Sequence, residues 1–351
     1  MCLEMKSSKV GGGENLVSVG FSFWHHGVHS GYDIIRNYVS YSKHLDFQKA
    51  VNSLYRIPEH GNIFTKLYLV LFGDRPWWIE FKIIFYLLSH KNQILHFIYP
   101  ENLFRYAGLF KGRSNRIVCT FHQPPRYYIQ GRFHGKKSID KIIVLSYDMV
   151  EPVQRAFPKT NVQYIPHGVD TEYFKPRIPR GRTRSVLIVG NWMRNFEFAN
   201  KVVQILTKKD DRISVIVVTR KQNHGHFEKL HNLKLLSGID DSELLNLYQT
   251  CGVLFLPLNG FTANNALLEG ASCGCPVVVA SDQKSENCYF NHQLVDFVPF
   301  DPNRAADSII MRLNHSDESR EESLISFVRE NYDWKIIGAR TETELHKAAR
   351  D

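Results

Sequence analysis

The chain has 351 residues, more than one hydrophobic core comfortably organises, so two domains are the starting expectation. Hydrophobic residues make up 43% and charged residues 23%, the balance of an ordinary folded globular protein, which excludes a disordered or fibrous chain. The formal net charge of +9 suggests an anionic partner, either a nucleotide, a nucleic acid or an acidic membrane surface, or else only aids solubility.

Residues 1–14 lack the apolar centre of a secretion signal and read as a flexible tail. No run reaches the ~18 apolar residues of a spanning helix. These features place the chain in the cytoplasm, with contact at the inner face of a membrane left open. Six cysteines occur, at Cys2, Cys119, Cys251, Cys273, Cys275 and Cys288. No pair has CxxC spacing, so no structural zinc is expected. Cys119, Cys251 and Cys273 lie in apolar stretches and read as small buried hydrophobes in a reducing compartment.

The first predicted strand covers residues 16–24, followed by a loop with His25, His26, His29, Ser30 and Gly31, and a helix from 32 to about 44. Strand, small-residue loop and helix form the ligand-facing unit of a doubly wound domain. Ser30 is suited to cap the helix, and Gly31 lets another molecule approach the backbone. The histidines have no clear carboxylate or cysteine partner in the sequence pattern, so an acceptor-lining or structural role is expected instead of a metal. Residues 64–72 and 77–89 are rich in aromatics. The second segment puts Ile79, Ile83, Tyr86 and Leu87 near one face, with Lys82 and the flanking Arg75 and Lys91 supplying charge. It reads either as a helix packed on the first sheet or as an amphipathic helix at a membrane surface.

Further strands follow at 94–99, 116–121 and 141–146. His122 stands just past the carboxyl end of one of them, before Pro124-Pro125, where open α/β sheets bind ligands. The stretch 175–183 is rich in Pro, Gly and Arg and reads as a linker. The second domain opens with a strand at 185–190 and continues with strands at 213–219 and 233–236. Arg220 and Lys221 stand at a carboxyl end there, as a source of phosphate-binding charge. Asp240 or Asp241 caps the next helix. Then two apolar runs, 253–258 and 276–280, flank a helical segment over 264–272. Thr262, Ala263, Asn264, Asn265 and Ala266 lead into that helix, so its first backbone N–H groups are expected to face a phosphate or diphosphate. Glu269, one turn in, either accepts hydrogen bonds from a diol such as a ribose or sits on a solvated face. A last strand at 294–300 and three helices complete the chain.

The run 262–282, TANNALLEGASCGCPVVVASD, resembles the donor-site signature of retaining GT-B glycosyltransferases of family 4. Four other segments resemble that family: Cys119-Thr120-Phe121-His122, the connector Ile165-Pro166-His167-Gly168-Val169-Asp170, Ser237-Gly238-Ile239-Asp240, and Tyr332-Asp333-Trp334 before the final helix. The resemblance implies two Rossmann-like doubly wound domains facing across a cleft, with a C-terminal helix crossing back to the first. The implied division is an acceptor-side domain at 15–168, a linker at 169–184, a nucleotide-sugar domain at 185–331 and the crossover at 332–351.

The implied activity is metal-independent transfer of a hexose from a UDP- or GDP-sugar to a carbohydrate or lipid-linked acceptor, with no further cofactor and no nucleic-acid partner. Glu269 matches the ribose-binding glutamate. The family's other glutamate falls at Phe261, where this chain departs from the pattern. Gly190 matches a diphosphate-loop glycine, Asn191 replaces the usual arginine, and Arg194 is the nearest cation for that role. Ile239 matches the base-contacting position. His29, Ser30, Gly31 and His122 would line the acceptor side. His122, Arg194 and Glu269 are the expected catalytic residues. A GT-B protein that binds a nucleotide or glycan without catalysis is the alternative, motivated by Phe261 and Asn191.

Overall fold

A computed structural model describes residues 15–23, 27–48, 77–130, 136–260, 262–282, 289–290 and 293–350. The tail at 1–14, His25, His26, Arg75, the aromatic stretch at 64–72, Phe261, Cys2 and Cys288 lie outside the described residues.

The apolar runs become two six-stranded parallel sheets. In the first, strands β1 (Asn15–Gly20), β2 (Lys43–Asp46), β3 (Gln93–Phe97), β4 (Arg116–Phe121), β5 (Lys141–Val144) and β6 (Asn161–Tyr164) stand in the order β2-β1-β3-β4-β5-β6. Helices α1 (Trp77–Ser89), α2 (Pro100–Leu103), α3 (Pro125–Ile129) and α4 (Val150–Ala156) connect them. The second sheet is built from β7 (Ser185–Val189), β8 (Ser214–Val218), β9 (Leu233–Leu236), β10 (Val253–Pro257), β11 (Val277–Ala280) and β12 (Asp296–Val298). Its order is β12-β11-β10-β7-β8-β9. Its helices are α5 (Phe196–Lys209), α6 (Asp241–Thr250), α7 (Asn265–Ser272), α8 (Pro302–Asn314) and α9 (Glu318–Tyr332).

Every residue of β3, β7, β10 and β11 is buried, as strands covered by helices on both faces must be. Cys119, Cys251 and Cys273 are buried free thiols within this packing. In each sheet the strand order reverses once, between β1 and β3 and between β7 and β10. Those two reversal points open crevices at the carboxyl ends of the strands, where ligands bind in such sheets.

The helix expected over 32–44 is not formed. A 3-10 turn spans Tyr32–Asn37, and the chain then extends into β2. Strand β2 reads Lys-His-Leu-Asp and is exposed at three of its four positions. It pairs on one side only, with β1. A short, charged edge strand carries no apolar alternation for the sequence to announce.

The final helix, α10 (Trp334–Arg350), leaves the second domain and packs on β3, β4 and the Tyr32–Asn37 turn of the first. Trp334 is buried between Tyr32, Tyr38 and His167. The fully buried Lys141 donates to Glu344 Oε2 at 2.8 Å. The partly buried ion pair is satisfied at both ends, and Lys141 and Lys347 hold the Glu344 carboxyl below its ordinary range against the opposing effect of burial. Trp334→Ala removes the aromatic hub of this junction. It is expected to lower the unfolding free energy by roughly 3–5 kcal/mol in urea titrations; a loss under about 1 kcal/mol would mean the helix is not fastened there.

Candidate active site

The crevice between β7 and β10 is built on a glycine. Gly190, just past β7, has φ 113°, in the left-handed region. A Cβ at this position would lie 2.6 Å from Nη2 of Arg194, so only glycine lets the guanidinium lie across the strand end. Three bonds fix that guanidinium. Nε donates to the Val189 carbonyl at 2.8 Å, Nη1 to the Trp192 carbonyl at 3.1 Å and Nη2 to Asn264 Oδ1 at 3.2 Å. The loop is stitched to β10 by Asn195 N–H to the Pro257 carbonyl and Asn259 N–H to the Met193 carbonyl, each at 2.9 Å.

All the acceptors around Arg194 are neutral. Burial pulls it down from 12.5 to about 10, which leaves it a cation at neutral pH, neutralised by no carboxylate among the described residues. Asn264 caps α7 by accepting from the Leu267 N–H at 3.2 Å. Its own Nδ2 is buried with no hydrogen-bond partner. A half-buried cation and an unpaired buried amide donor therefore stand together at a helix start.

Glu269 lies one turn into α7 and is only 4% exposed. Its Oε1 accepts from Ser30 Oγ at 2.6 Å, and Oε2 from the Tyr248 hydroxyl at 3.0 Å. The solvated-face alternative is thereby overturned: the carboxylate is buried and held between two domains. Tyr248, on α6, is fully buried, and its phenol is pushed well above its ordinary value by burial and by the Glu269 charge. The helical pattern of α6 accounts for Tyr248 as a core residue. Its ring is there, but its hydroxyl partner is 21 residues away, a pairing that helical periodicity does not encode.

The first domain meets this cluster through residues 27–31. Gly31, with φ 107°, starts the Tyr32–Asn37 turn. Ser30 does not cap it, since its hydroxyl is on Glu269. His29 stacks on Tyr173 (centroids 3.6 Å apart, 3° between planes) and bonds through Nδ1 to Asp170 Oδ2 at 2.8 Å. A narrow crevice remains between Ser30, Gly31, Gly168, Asn265, Glu269 and Trp334.

His122 stands at the end of β4 as expected. Its Nε2 is 2.7 Å from the Ile98 carbonyl, which can only accept, so the ring proton is on Nε2. The ring packs against Tyr32 and Tyr99. Its carbonyl accepts from Thr262 Oγ1 of the facing domain at 2.6 Å. Beside it, Glu101 takes the His122 N–H at 2.7 Å, the Gln123 N–H at 3.3 Å and the Tyr128 hydroxyl. Burial raises its carboxyl above the usual range. The sequence signal for Glu101 was Pro100-Glu101 directly after a strand, and it went unused.

The other candidates divide. Asn265 and Ala266 form the first turn of α7, with Thr262 and Ala263 half-buried before it. Asn191 makes no hydrogen bond to Arg194 or Asn264 among those described. Its Oδ1 accepts from Thr219 Oγ1 at 2.8 Å and the Arg220 N–H at 2.7 Å. Arg220 and Lys221 are exposed beyond β8 instead of joining the buried cluster. Gly238 and the half-buried Ile239 lie between β9 and α6, next to the Asp240 cap. Among the described residues no group of three or more His, Cys, Asp or Glu is suited to a metal, and no helix is long and apolar enough to cross a membrane.

No protein-family model matches the chain, and no curated protein matches it in sequence. Solved structures do match it in shape. A glycosyltransferase from Rickettsia africae superposes with a TM-score of 0.69 at 14% identity, over 96% of this chain and 99% of that one. Anabaena HepE, in complex with UDP and glucose, does so at 0.68 and 13%, over 95% and 100%. The sucrose-phosphate synthase of Thermosynechococcus elongatus does so at 0.65 and 14%, over 95% and 98%. The chain has the two-domain α/β architecture of these GT-B proteins.

Tyr248→Phe tests the buried triad directly. It leaves Glu269 Oε2 without its donor, and is expected to destabilise the protein by about 1–3 kcal/mol in thermal or urea unfolding. An unchanged melting temperature would show that the carboxylate is not desolvated as described.

Proposed function

We propose that the chain is a glycosyltransferase that uses a nucleotide-sugar donor, UDP- or GDP-linked, and passes its hexose to a carbohydrate or lipid-linked acceptor with retention of configuration and without a metal. One observation carries the reading. Arg194, half-buried and facing only neutral acceptors among the described residues, adjoins the unpaired Asn264 amide at the start of α7. A diphosphate satisfies both groups and the first-turn amides together. Its charge grows as the sugar departs, and donors already fixed in place stabilise that charge.

In this reading Glu269 takes the ribose hydroxyls, the base lies by Gly238 and Ile239, and the acceptor enters past Gly31 and His122. Residues 15–168 form the acceptor-side domain, 169–184 the linker, 185–331 the donor domain and 332–351 the crossover, acting in the cytoplasm. The UDP and glucose in the Anabaena structure support a nucleotide-sugar as co-substrate. A second reading, binding without transfer, is favoured by Asn191, whose side chain is occupied within its own domain.

Ser30 stands where a ribose hydroxyl would, so donor and Ser30 compete for Glu269. Titration calorimetry with UDP and GDP is expected to show Glu269→Ala weakening the preferred nucleotide by roughly ten- to a hundredfold, and Ser30→Ala leaving its affinity equal or tighter. Unchanged affinity in Glu269→Ala sinks the ribose assignment. Binding of nucleotide-sugars with neither transfer nor hydrolysis across a donor panel would favour the second reading.

A further inference from the structure

Helix α1 is apolar on two sides. One side buries Ile79, Ile83, Tyr86 and Leu87 in the first domain. The other carries Phe81, Phe85 and Leu88, which are 59%, 74% and 64% exposed. Beside it, Leu109 and Phe110 stand 66% and 44% exposed on the 3-10 turn Ala107–Phe110. Glu80 fastens helix and turn together, its Oε1 accepting the backbone N–H groups of Arg105 at 3.2 Å, Tyr106 at 2.6 Å and Ala107 at 2.5 Å. A helix apolar all round is covered on both sides in its working state, and a contiguous exposed patch of this kind marks an interaction surface.

The charges around the patch select the partner. Residues 77–116 hold six Lys and Arg against two carboxylates, Glu80 and Glu101. Both carboxylates are committed to backbone amides of the domain itself. Lys111 pairs with Asp140 at 2.6 Å. Lys82, Lys91, Arg105, Arg113 and Arg116 have no ion-pair partner among the described residues. An apolar, aromatic centre bordered by unpaired cations matches the boundary of a bilayer with anionic headgroups. A second copy on this face would set the same cations against one another across a two-fold axis.

We propose that this face of the first domain docks on an anionic lipid surface. Helix α1 reaches from the amino-terminal end of β3, where Asn115 Nδ2 donates to the Leu87 carbonyl at 3.0 Å, to the chain just beyond α2 at the opposite, cleft-facing edge. Docking there holds the cleft against the membrane, in reach of an acceptor that a lipid carries. The inference rests on exposure and charge and stands apart from the transferase reading.

The test is flotation of the full chain with vesicles of phosphatidylglycerol and phosphatidylcholine, and with phosphatidylcholine alone. The chain is expected to float with the anionic vesicles at low salt and to leave them at high salt. The double variant Phe85→Ser, Leu109→Ser is expected to lower binding roughly tenfold or more. Lys82→Glu with Arg113→Glu should do the same. These side chains are exposed, so melting temperature and UDP or GDP affinity should not move, and failure of the nucleotide assay would leave this result intact. Flotation with neither vesicle, equal flotation with both, or wild-type binding by the variants overturns the proposal. So does a variant that shifts a sedimenting dimer to monomer without vesicle binding in the parent, since a second copy would then cover the face.

Discussion

The site depends on a half-buried cation with no carboxylate partner among the described residues. Burying a guanidinium even in part is costly unless something anionic meets it, and among the described residues Arg194 meets only carbonyl and amide oxygens. The surrounding chain is arranged to hold it regardless. Gly190 clears the space, the 190–195 loop is tied to β10, and Asn264 serves the helix start and the guanidinium with a single oxygen. Among the described residues the arrangement leaves these donors fixed in position with no carboxylate facing them, the feature on which the proposed diphosphate site rests.

The second constraint links the domains. Glu269 is the only carboxylate in the sequence run 262–281, and in this closed arrangement it is shared between Tyr248 of its own domain and Ser30 of the other. His29 on Tyr173 and Thr262 on the His122 carbonyl add further contacts across the cleft. The Ser30–Glu269 bond between the domains thus uses the carboxylate to which the proposal assigns the ribose.

Sequence and structure agree where the signal is local. Continuous apolar runs such as Val253–Pro257 and Val277–Ala280 have one reading as buried parallel strands, and Asn264 is a helix cap by chemistry alone. Strand β2 escaped because its Lys-His-Leu-Asp is an exposed edge with no period to detect. The position of Ser30 beside Gly31 suggests a helix cap, but its hydroxyl partner is 239 residues away. Arg194 is the nearest cation in the sequence, but its neutral surroundings arise only where Val189, Trp192 and Asn264 come together in space. The crossover of α10 was legible only through resemblance, since the bond between Lys141 and Glu344 spans 203 residues. The two apolar sides of α1 were both in the sequence, but which one the domain keeps became plain only from the packing.

The most direct measurement of the central claim is a crystal structure of the chain with bound UDP or GDP. The account predicts diphosphate oxygens at roughly 3 Å from Arg194 and from Asn264 Nδ2, and ribose hydroxyls on Glu269 with Ser30 displaced. A nucleotide bound elsewhere, or a diphosphate at α7 with Glu269 still held by Ser30, would contradict it.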